Sequence, residues 1–410
     1  MSRAAVASWI VPGGVDAGAA RVLVARALRG FGDGYVAVLL PAYLLALGLG
    51  ELDIGIIGTV TLFGSAIATL ALGAFGNRFA QRKLFAFAAF LMIVTGVGFA
   101  GLSSFWPLLM VAFFGTLNPS GGDVSVFLPL EHARLAAASS GAARTSLFAR
   151  YSLAGSLAGA LGALAAALPE WVSSHAPLGR LDCMRAMFFG YALIGTTMLL
   201  LYRTAPADSR QSLAKQAPLG ESRAIVLKLA GLFSVDAFAG GLLVHSLLAL
   251  WLFERFGMSL AAAAAFFFWT GLLSAGSQLA AAPIAQRFGL LNTMVFTHIP
   301  SSVFLIIAAL APTLEVALAF LLLRSALSQM DVPTRSAYVM AVVTPAERPA
   351  AASFTAVPRS LAAAAGPALT GMLFSAGALA APLIACGALK IGYDLALLYA
   401  FRKTAPRLED

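Results

Sequence analysis

Four aspartates lie inside strongly apolar stretches of this chain: Asp33, Asp123, Asp236 and Asp331. An ionisable side chain at bilayer depth costs about 2.5–3.5 kcal/mol on insertion scales, so it normally faces a cavity or an ionic partner. A carboxylate in such a place can bind a proton or cation, contact a ligand or neutralise a nearby cation. The four aspartates are therefore the first candidates for chemistry.

Asp33 and Asp236 are the candidates for proton or cation binding. Asp33 is about ten residues into its apolar segment, hence about 15 Å deep at 1.5 Å per residue, and Asp236 reaches a similar depth. Our hypothesis is that both carboxylates couple an ion to the movement of a substrate. The alternative is a structural carboxylate capped by hydroxyls or backbone amides, which the glycines beside Asp33 permit.

Asp123 and Asp331 lie nearer the predicted cytoplasmic side. Arg150 and Arg359 begin the following segments from that same side. Because an unpaired buried charge is costly, we expect two ion pairs, Asp123 with Arg150 and Asp331 with Arg359, that brace or gate neighbouring helices. Direct contact with a ligand is the alternative.

Arg324, Asp331 and Arg335 are spaced seven and four residues apart, which keeps them near one helical face. An ion pair between Asp331 and one of the arginines leaves the other arginine without a partner on this face. If Arg324 is accessible, it favours an anionic or carboxylate-bearing substrate. The alternative is a second ion pair, with Glu315 or Glu254.

Other charged residues are expected to be structural. Lys390 and Asp394 are four residues apart and should neutralise each other. His298 is a single imidazole on an apolar segment and is expected to be a satisfied structural group. Arg26 and Arg29 are expected to extend to the cytoplasmic interface.

The segments that carry these residues are long and apolar. Of 410 residues, 60% are hydrophobic and 11% are charged, against about 25% charged in soluble domains. At about 20 residues per span the apolar residues suffice for about twelve spans. A soluble enzyme, a disordered chain and a disulfide-stapled fold are excluded. The net charge of +9 is dispersed over short loops, which excludes a nucleic-acid-binding patch. The predicted spans are 22–48, 54–75, 84–102, 105–131, 146–168, 183–202, 224–252, 260–282, 294–311, 316–340, 353–376 and 382–401.

Loop charges and an internal repeat define the organisation. Lys and Arg concentrate in alternate loops, which places both termini in the cytoplasm. Residues 44–51 reappear as 247–254 at an offset of 203, and the same offset relates Asp33 to Asp236. We therefore predict two six-helix halves, residues 1–202 and 224–410, joined by a polar cytoplasmic loop, 203–223. Interruptions at Asn118-Pro119 and Pro333 predict broken helices beside two of the aspartates, a feature that marks binding regions in transporters.

The loop at residues 73–83, GAFGNRFAQRK, resembles the signature G-x-L-A-D-R-x-G-R-K of the major facilitator superfamily. Arg78 and Arg82 match the signature, whereas Asn77 replaces its aspartate. A weaker copy, IAQRFG at 284–289, contains Gln286 and Arg287.

The resemblance implies an all-α membrane protein of twelve helices in two pseudo-symmetric bundles, whose segments 1, 4, 7 and 10 line a central cavity. These are the segments that carry the four aspartates. In the superfamily the loop acid helps to lock one conformation. Since Asn77 hydrogen-bonds without a charge, the resemblance implies a weaker or relocated latch here.

The predicted function is secondary transport of a small organic solute by alternating access, with proton-coupled efflux as the leading hypothesis. The alternatives within this class are proton-coupled uptake and facilitated transport of a small metabolite, anions included. A non-transporting membrane sensor or scaffold is the alternative outside it. We predict a multi-pass protein of the inner (cytoplasmic) membrane that acts as a monomer. Its partners are solute, protons and lipid; neither enzymatic activity, a cofactor, a metal nor nucleic acid is expected.

Overall fold

The computed structural model describes residues 17–120, 125–138, 141–203 and 219–402, and this part of the chain is helical without strands. Asp123, most of the predicted central loop and both termini lie outside the described residues. The helices of the first half are α1 (Ala17–Ala46), α2 (Glu51–Phe75), α3 (Gln81–Gly101), α4 (Phe105–Phe114), α5 (Phe127–Ala137), α6 (Gly141–Ala165), α7 (Leu168–His175) and α8 (Arg180–Arg203). Those of the second half are α9 (Arg223–Gly241), α10 (His245–Phe256), α11 (Leu260–Phe288), α12 (Leu290–Ala309), α13 (Leu314–Leu327), α14 (Asp331–Val342), α15 (Arg348–Ser375) and α16 (Ala381–Phe401).

The helices have the lengths and surfaces of membrane spans. Nine of the helical stretches in the described residues are long and apolar enough to cross a bilayer. Large apolar side chains face outward: Trp106 is 73% exposed, Leu193 67% and Phe296 62%. Such surfaces require a lipid environment. The chain is thus a multi-pass membrane protein, while twelve crossings and cytoplasmic termini stay predictions.

Three spans are interrupted in the middle in the part of the chain that the structure describes. The breaks between α4 and α5 and between α13 and α14 fall where the sequence predicted them, next to Asn118-Pro119 and just before Pro333. The break between α9 and α10, at residues 242–244, was not predicted. It follows Gly240-Gly241, and the Leu242 carbonyl it releases accepts a hydrogen bond from Thr370 Oγ1 at 2.7 Å. Interruption is tolerated because a neighbouring helix satisfies the backbone.

The chain forms two compact units. Unit 1 comprises Met1–Gly48, Gly64–Ser212 and Leu260–Phe268, and within it α1 packs on α6 and α3 packs on α8. The α1–α6 crossing is lined by glycine: a Cβ at Gly30 would lie 2.7 Å from the Gly155 carbonyl oxygen. The expectation that small residues of the fifth segment permit close packing is confirmed.

Unit 2 comprises Leu49–Phe63, Leu213–Ser259 and Trp269–Asp410. Here α9 packs on α15 and α12 packs on α16. Gly241 and Gly366 bring the first pair into backbone contact, and a Cβ at Gly387 would lie 2.9 Å from the Ser302 carbonyl oxygen in the second. The order of pairing matches that of unit 1, as duplication would produce.

The two units differ from the predicted halves by two short exchanges. Residues 49–63, the first part of α2, belong to unit 2, where Thr59 Oγ1 accepts a hydrogen bond from the Ala368 amide at 2.9 Å. Residues 260–268, the start of α11, belong to unit 1, where Glu170 Oε2 accepts from the Ala261 amide at 3.0 Å. The predicted boundary within 203–223 stays a prediction.

Glu347 fastens the start of α9 to the turn between α14 and α15. Its carboxylate accepts hydrogen bonds from the amides of Gly220 at 2.6 Å and Ser222 at 3.0 Å, and the Thr344 amide donates to Ser222 Oγ at 3.2 Å. Bonds from Ser222 and Gly220 to the ionised form lower the pKa of Glu347 to about 2. The ionised carboxylate therefore stabilises this junction.

We expect Glu347→Gln to lower the melting temperature of the purified protein at pH 7, because the ionised acceptor is lost. The pKa of Glu347 is lower in the folded protein than the ordinary value for glutamate. Its contribution is therefore complete above about pH 4.5 and disappears as the pH falls toward 2. Melting curves of both proteins at pH 7, 5 and 3 measure this. A difference that does not shrink at pH 3 would contradict the assignment.

Gly30→Ala should destabilise unit 1, because the added methyl group meets the Gly155 carbonyl oxygen in the α1–α6 crossing. The matched control is Gly231→Ala on α9, where a Cβ would meet nothing within 4 Å. Alanine at that position should be neutral or stabilising by up to about 1 kcal/mol through helix propensity. Equal melting temperatures for the two variants would disprove the tight crossing.

Candidate functional site

Asp236 is the centre of a buried charge cluster in unit 2. It lies on α9, is 3% exposed, and its carboxylate contacts two cations. Lys390 Nζ of α16 donates to Oδ1 at 2.6 Å, and Arg335 Nη2 of α14 lies 2.9 Å from Oδ2. The sequence predicted Asp236 and Arg335 as site residues, and the structure brings them together. Lys390 was not among the predicted site residues.

Arg335 is shared between two carboxylates. It also pairs with Asp331, one turn earlier on α14, and its guanidinium lies over the Phe233 ring at 5.4 Å. The predicted local pair on this face thus forms. The predicted bracing pair between Asp331 and Arg359 is wrong, because the carboxylate is taken by Arg335 on its own helix. Arg359 makes no ion pair within the described residues.

His298 extends the cluster toward a third carboxylate. Its Nδ1 lies 2.9 Å from Asp394 Oδ2, and its Nε2 lies 3.3 Å from Lys390 Nζ and 3.9 Å from Asp236 Oδ1. Lys390 can donate to Nε2 only if that nitrogen carries no proton, so the geometry fits a neutral imidazole with its proton on Nδ1. Asp236, Lys390, His298 and Asp394 form a continuous hydrogen-bonded chain.

The expected pair between Lys390 and Asp394 is therefore wrong. Their four-residue spacing permits a contact along α16, yet each side chain finds a partner on another helix. Lys390 turns to Asp236 and Asp394 to His298. Direct partners in a dry interior outweigh a local pair, since charges there are screened least.

Unit 1 contains a second buried cluster, centred on Glu131 of α5. Arg29 Nη2 of α1 donates to Glu131 Oε2 at 2.6 Å, and Tyr202 Oη donates to Oε1 at 3.1 Å. Tyr151 donates to Oε2 in a short hydrogen bond. Glu131 is 0% and Arg29 2% exposed, and the Arg29 guanidinium lies 3.8 Å from Asp33. The carboxylate is fully satisfied.

Two sequence expectations fail in this cluster. Arg29 does not extend to the interface, because Glu131 offers it a buried partner. Arg26 is 7% exposed and lies 5.1 Å over the Tyr151 ring. Glu131 was missed because it is the last residue of the predicted span 105–131, and an acidic residue is expected at the end of a span. It could have been recognised as an acidic residue with apolar residues on both sides.

Two further predicted residues are half-buried. Arg150 is half-buried on α6, and its predicted partner Asp123 lies outside the described residues. Arg324 is half-buried on α13, and neither Glu315 nor Glu254 pairs with it in the described part of the chain. Its backbone carbonyl accepts from Ser301 Oγ at 3.4 Å.

The signature loops are exposed. Arg78 lies 5.2 Å over the Phe75 ring and Arg287 lies 5.4 Å over the Phe288 ring. Gln286 and Arg82 are exposed, and the side chain of Asn77 lies outside the described residues. The predicted latch at these loops stays a prediction.

Apolar spans, interrupted helices and buried charges on those helices are typical of a multi-pass membrane transporter. Residues 22–323 match the family model described as Major Facilitator Superfamily, and the chain belongs to this family. The fold class predicted from the sequence is confirmed, and the chain is a secondary transporter by family.

Known proteins of similar sequence and structure agree with this assignment. The chain is 26% identical over 410 residues to an uncharacterized membrane protein of Saccharomyces cerevisiae, YJR124C, covering 91% of this chain and 92% of the yeast protein. A D-xylose-proton symporter has a similar fold, with a TM-score of 0.73, 18% identity and coverage of 94% of this chain and 98% of that one. The nucleoside transporter NupG has a TM-score of 0.72 at 14% identity, covering 94% and 100%. The structural likenesses concern the fold alone.

Glu131→Gln should destabilise the protein by about 3–5 kcal/mol, because it leaves the buried Arg29 charge with only the more distant Asp33, 3.8 Å away, as an ionic partner. The matched control is Asp182→Asn, which breaks an exposed pair with Arg185 whose atoms are 3.6 Å apart. Exposed pairs contribute less than about 1 kcal/mol. Melting temperatures of the two variants in detergent measure the difference. Equal small shifts would show that the buried pair carries no stability.

Proposed function

We propose that this chain is a proton-coupled secondary transporter of a small organic solute, acting by alternating access. The observation that carries the proposal is the chain Asp236–Lys390–His298–Asp394, in which an imidazole lies between two carboxylates. An imidazole binds and releases protons near physiological pH. A carboxylate and an ammonium group that are bonded to each other do so less readily.

Protonation of His298 would change the contacts of the cluster. A proton on Nε2 turns this nitrogen into a donor, which repels the Lys390 ammonium 3.3 Å away. The same proton faces Asp236 Oδ1 at 3.9 Å. Asp236 then exchanges Lys390 for His298, while Arg335 remains on the other carboxylate oxygen. The groups that face His298 are Asp236 from α9 and Lys390, Asp394 and the Tyr393 ring from α16.

The exchange can alter packing because its members lie on different helices. Asp236 is on α9, which ends at a break six residues later, and Arg335 is on α14, which begins after another break. Interrupted helices beside charged groups are typical of binding regions in secondary transporters. A released Lys390 therefore loosens α16 from α9. The predicted pathway residues Asp33, Asp236, Asp331 and Arg335 belong to the two clusters, and Asp123 and Arg324 complete the set in our proposal.

Export driven by the proton gradient across the inner membrane is the direction that we propose, with one chain as the working unit. Uptake and gradient-independent facilitated transport use the same fold and are separated by experiment. A scaffold without flux is disfavoured by the buried imidazole, since a scaffold gains nothing from a titratable group held beside a carboxylate.

The test uses proteoliposomes with an imposed pH gradient and a panel of labelled carboxylates, sugars, nucleosides and organic cations. We expect accumulation of one class, abolished by a protonophore, and at least a tenfold loss of accumulation in His298→Gln. Exchange of labelled for unlabelled solute without a gradient should persist, because it needs no net proton movement. The matched control is His175→Gln, which changes an exposed imidazole at the end of α7. Flux insensitive to the protonophore, or full accumulation by His298→Gln, would contradict proton coupling through this residue.

A further inference from the structure

Away from the ends of its spans, unit 2 buries or half-buries more cations than carboxylates. Its interior cations are Arg324, Arg335, Arg359 and Lys390, and its interior carboxylates are Asp236, Asp331 and Asp394. With a neutral His298 the set is one positive charge in excess, and a protonated His298 adds another. An uncompensated cation in a membrane interior is costly, so the excess calls for an anion.

All three carboxylates are already engaged. Asp236 holds Lys390 and Arg335, Asp331 holds Arg335, and Asp394 holds His298. No ion pair reaches Arg359 within the described residues. The excess positive charge therefore lies on the α15 side of the cluster, at Arg359.

Arg359 faces the cluster without being satisfied by it. It lies on α15, which packs on the Asp236 helix α9 and contacts the Arg335 helix α14, and it is within electrostatic range of Arg335, Asp236 and Asp331. Its Nε is buried and has no hydrogen-bond partner, although the residue as a whole is half-exposed. Arg335 contributes two further donors without partners, Nε and Nη1. Two neighbouring guanidinium groups thus present unfilled donors.

Arg324 adds positive charge from α13. It is within electrostatic range of the Cys386 thiol, which is fully buried on α16, one turn before Lys390. Ser302 of α12 has a buried hydroxyl without a partner. Arg324 thus points to the unit interior rather than to lipid, and no described carboxylate neutralises it.

Building on the proposed transport function, we infer that Arg359 and Arg335 form an oxyanion subsite and that the transported solute carries a carboxylate. The planar guanidinium fork matches the two oxygens of a carboxylate and binds them in a bidentate manner. The solute's charge offsets the excess cation, and Arg324 strengthens the positive potential that draws it in. A phosphate group has the same oxyanion chemistry, and the experiment separates it.

The test is ligand binding by the purified full chain, followed as a shift in melting temperature. The probes are aliphatic mono- and dicarboxylates, inorganic phosphate, chloride, glucose, adenosine and choline. We expect a saturable increase with at least one carboxylate. Arg359→Gln should raise its half-saturating concentration at least tenfold and Arg324→Gln by a smaller factor. The control Arg402→Gln, an exposed residue at the end of α16, should change it less than twofold.

The ligand-free melting temperature separates binding from a structural role. Because Arg359 has no ionic partner, Arg359→Gln should melt no lower than the wild type, whereas Asp236→Asn should melt lower. Arg359→Lys keeps the charge but loses the fork, and it should bind with intermediate affinity. If Arg359→Gln does not fold, Arg359 is structural and the inference fails.

Several further outcomes would overturn the inference. These are stabilisation by phosphate or chloride but no carboxylate, stabilisation by glucose, adenosine or choline alone, and unchanged affinity in Arg359→Gln. Carboxylate binding without proton-driven flux would instead leave the subsite standing and defeat only the coupling.

Discussion

The ion pair between Asp236 and Lys390 is the contact on which the interior of unit 2 depends. It joins α9 to α16 at 2.6 Å, and the second oxygen of the same carboxylate joins both to Arg335 on α14. Separately, each of these charges would be expensive to place in an apolar interior. Together they connect three helices through one carboxyl group. Any change in the charge of this group or its neighbours must therefore be felt by all three helices.

The two buried clusters differ in the groups that surround their central carboxylate. In unit 1, Glu131 receives donors on both oxygens from Arg29, Tyr151 and Tyr202, and none of these groups is an imidazole. In unit 2, Asp236 contacts Lys390 and Arg335, and the His298 imidazole lies between Lys390 and Asp394. Each cluster contains an arginine with unfilled donors, Arg29 in unit 1 and Arg335 in unit 2. An imidazole in direct contact with the charged groups is thus the feature that distinguishes the unit 2 cluster.

Sequence alone identified most of the relevant residues but few of their contacts. Asp236 and Arg335 were predictable because charged residues in apolar spans are rare. Their pairing was not, because Lys390 lies 154 positions from Asp236 and any of several cations could have filled the place. The four-residue spacing of Lys390 and Asp394 predicted a pair that does not form, because each residue pairs with a residue on another helix. Apolar run length found the helices, yet the break after Gly241 was hidden because glycines are also frequent within membrane helices.

The glycine-lined crossings have a mechanical consequence. Where Gly30 meets Gly155 and Gly241 meets Gly366, main chain touches main chain, and no side chain lies between them to rotate out of the way. The two helices of each crossing cannot slide past each other without a steric clash. The pair α1 and α6 must therefore move as one rigid body, and so must the pair α9 and α15. Any motion during a transport cycle is then confined to hinges outside these crossings. In unit 2 we expect the hinges at the two helix interruptions, between α9 and α10 and between α13 and α14, which lie close in sequence to its buried aspartates and arginines.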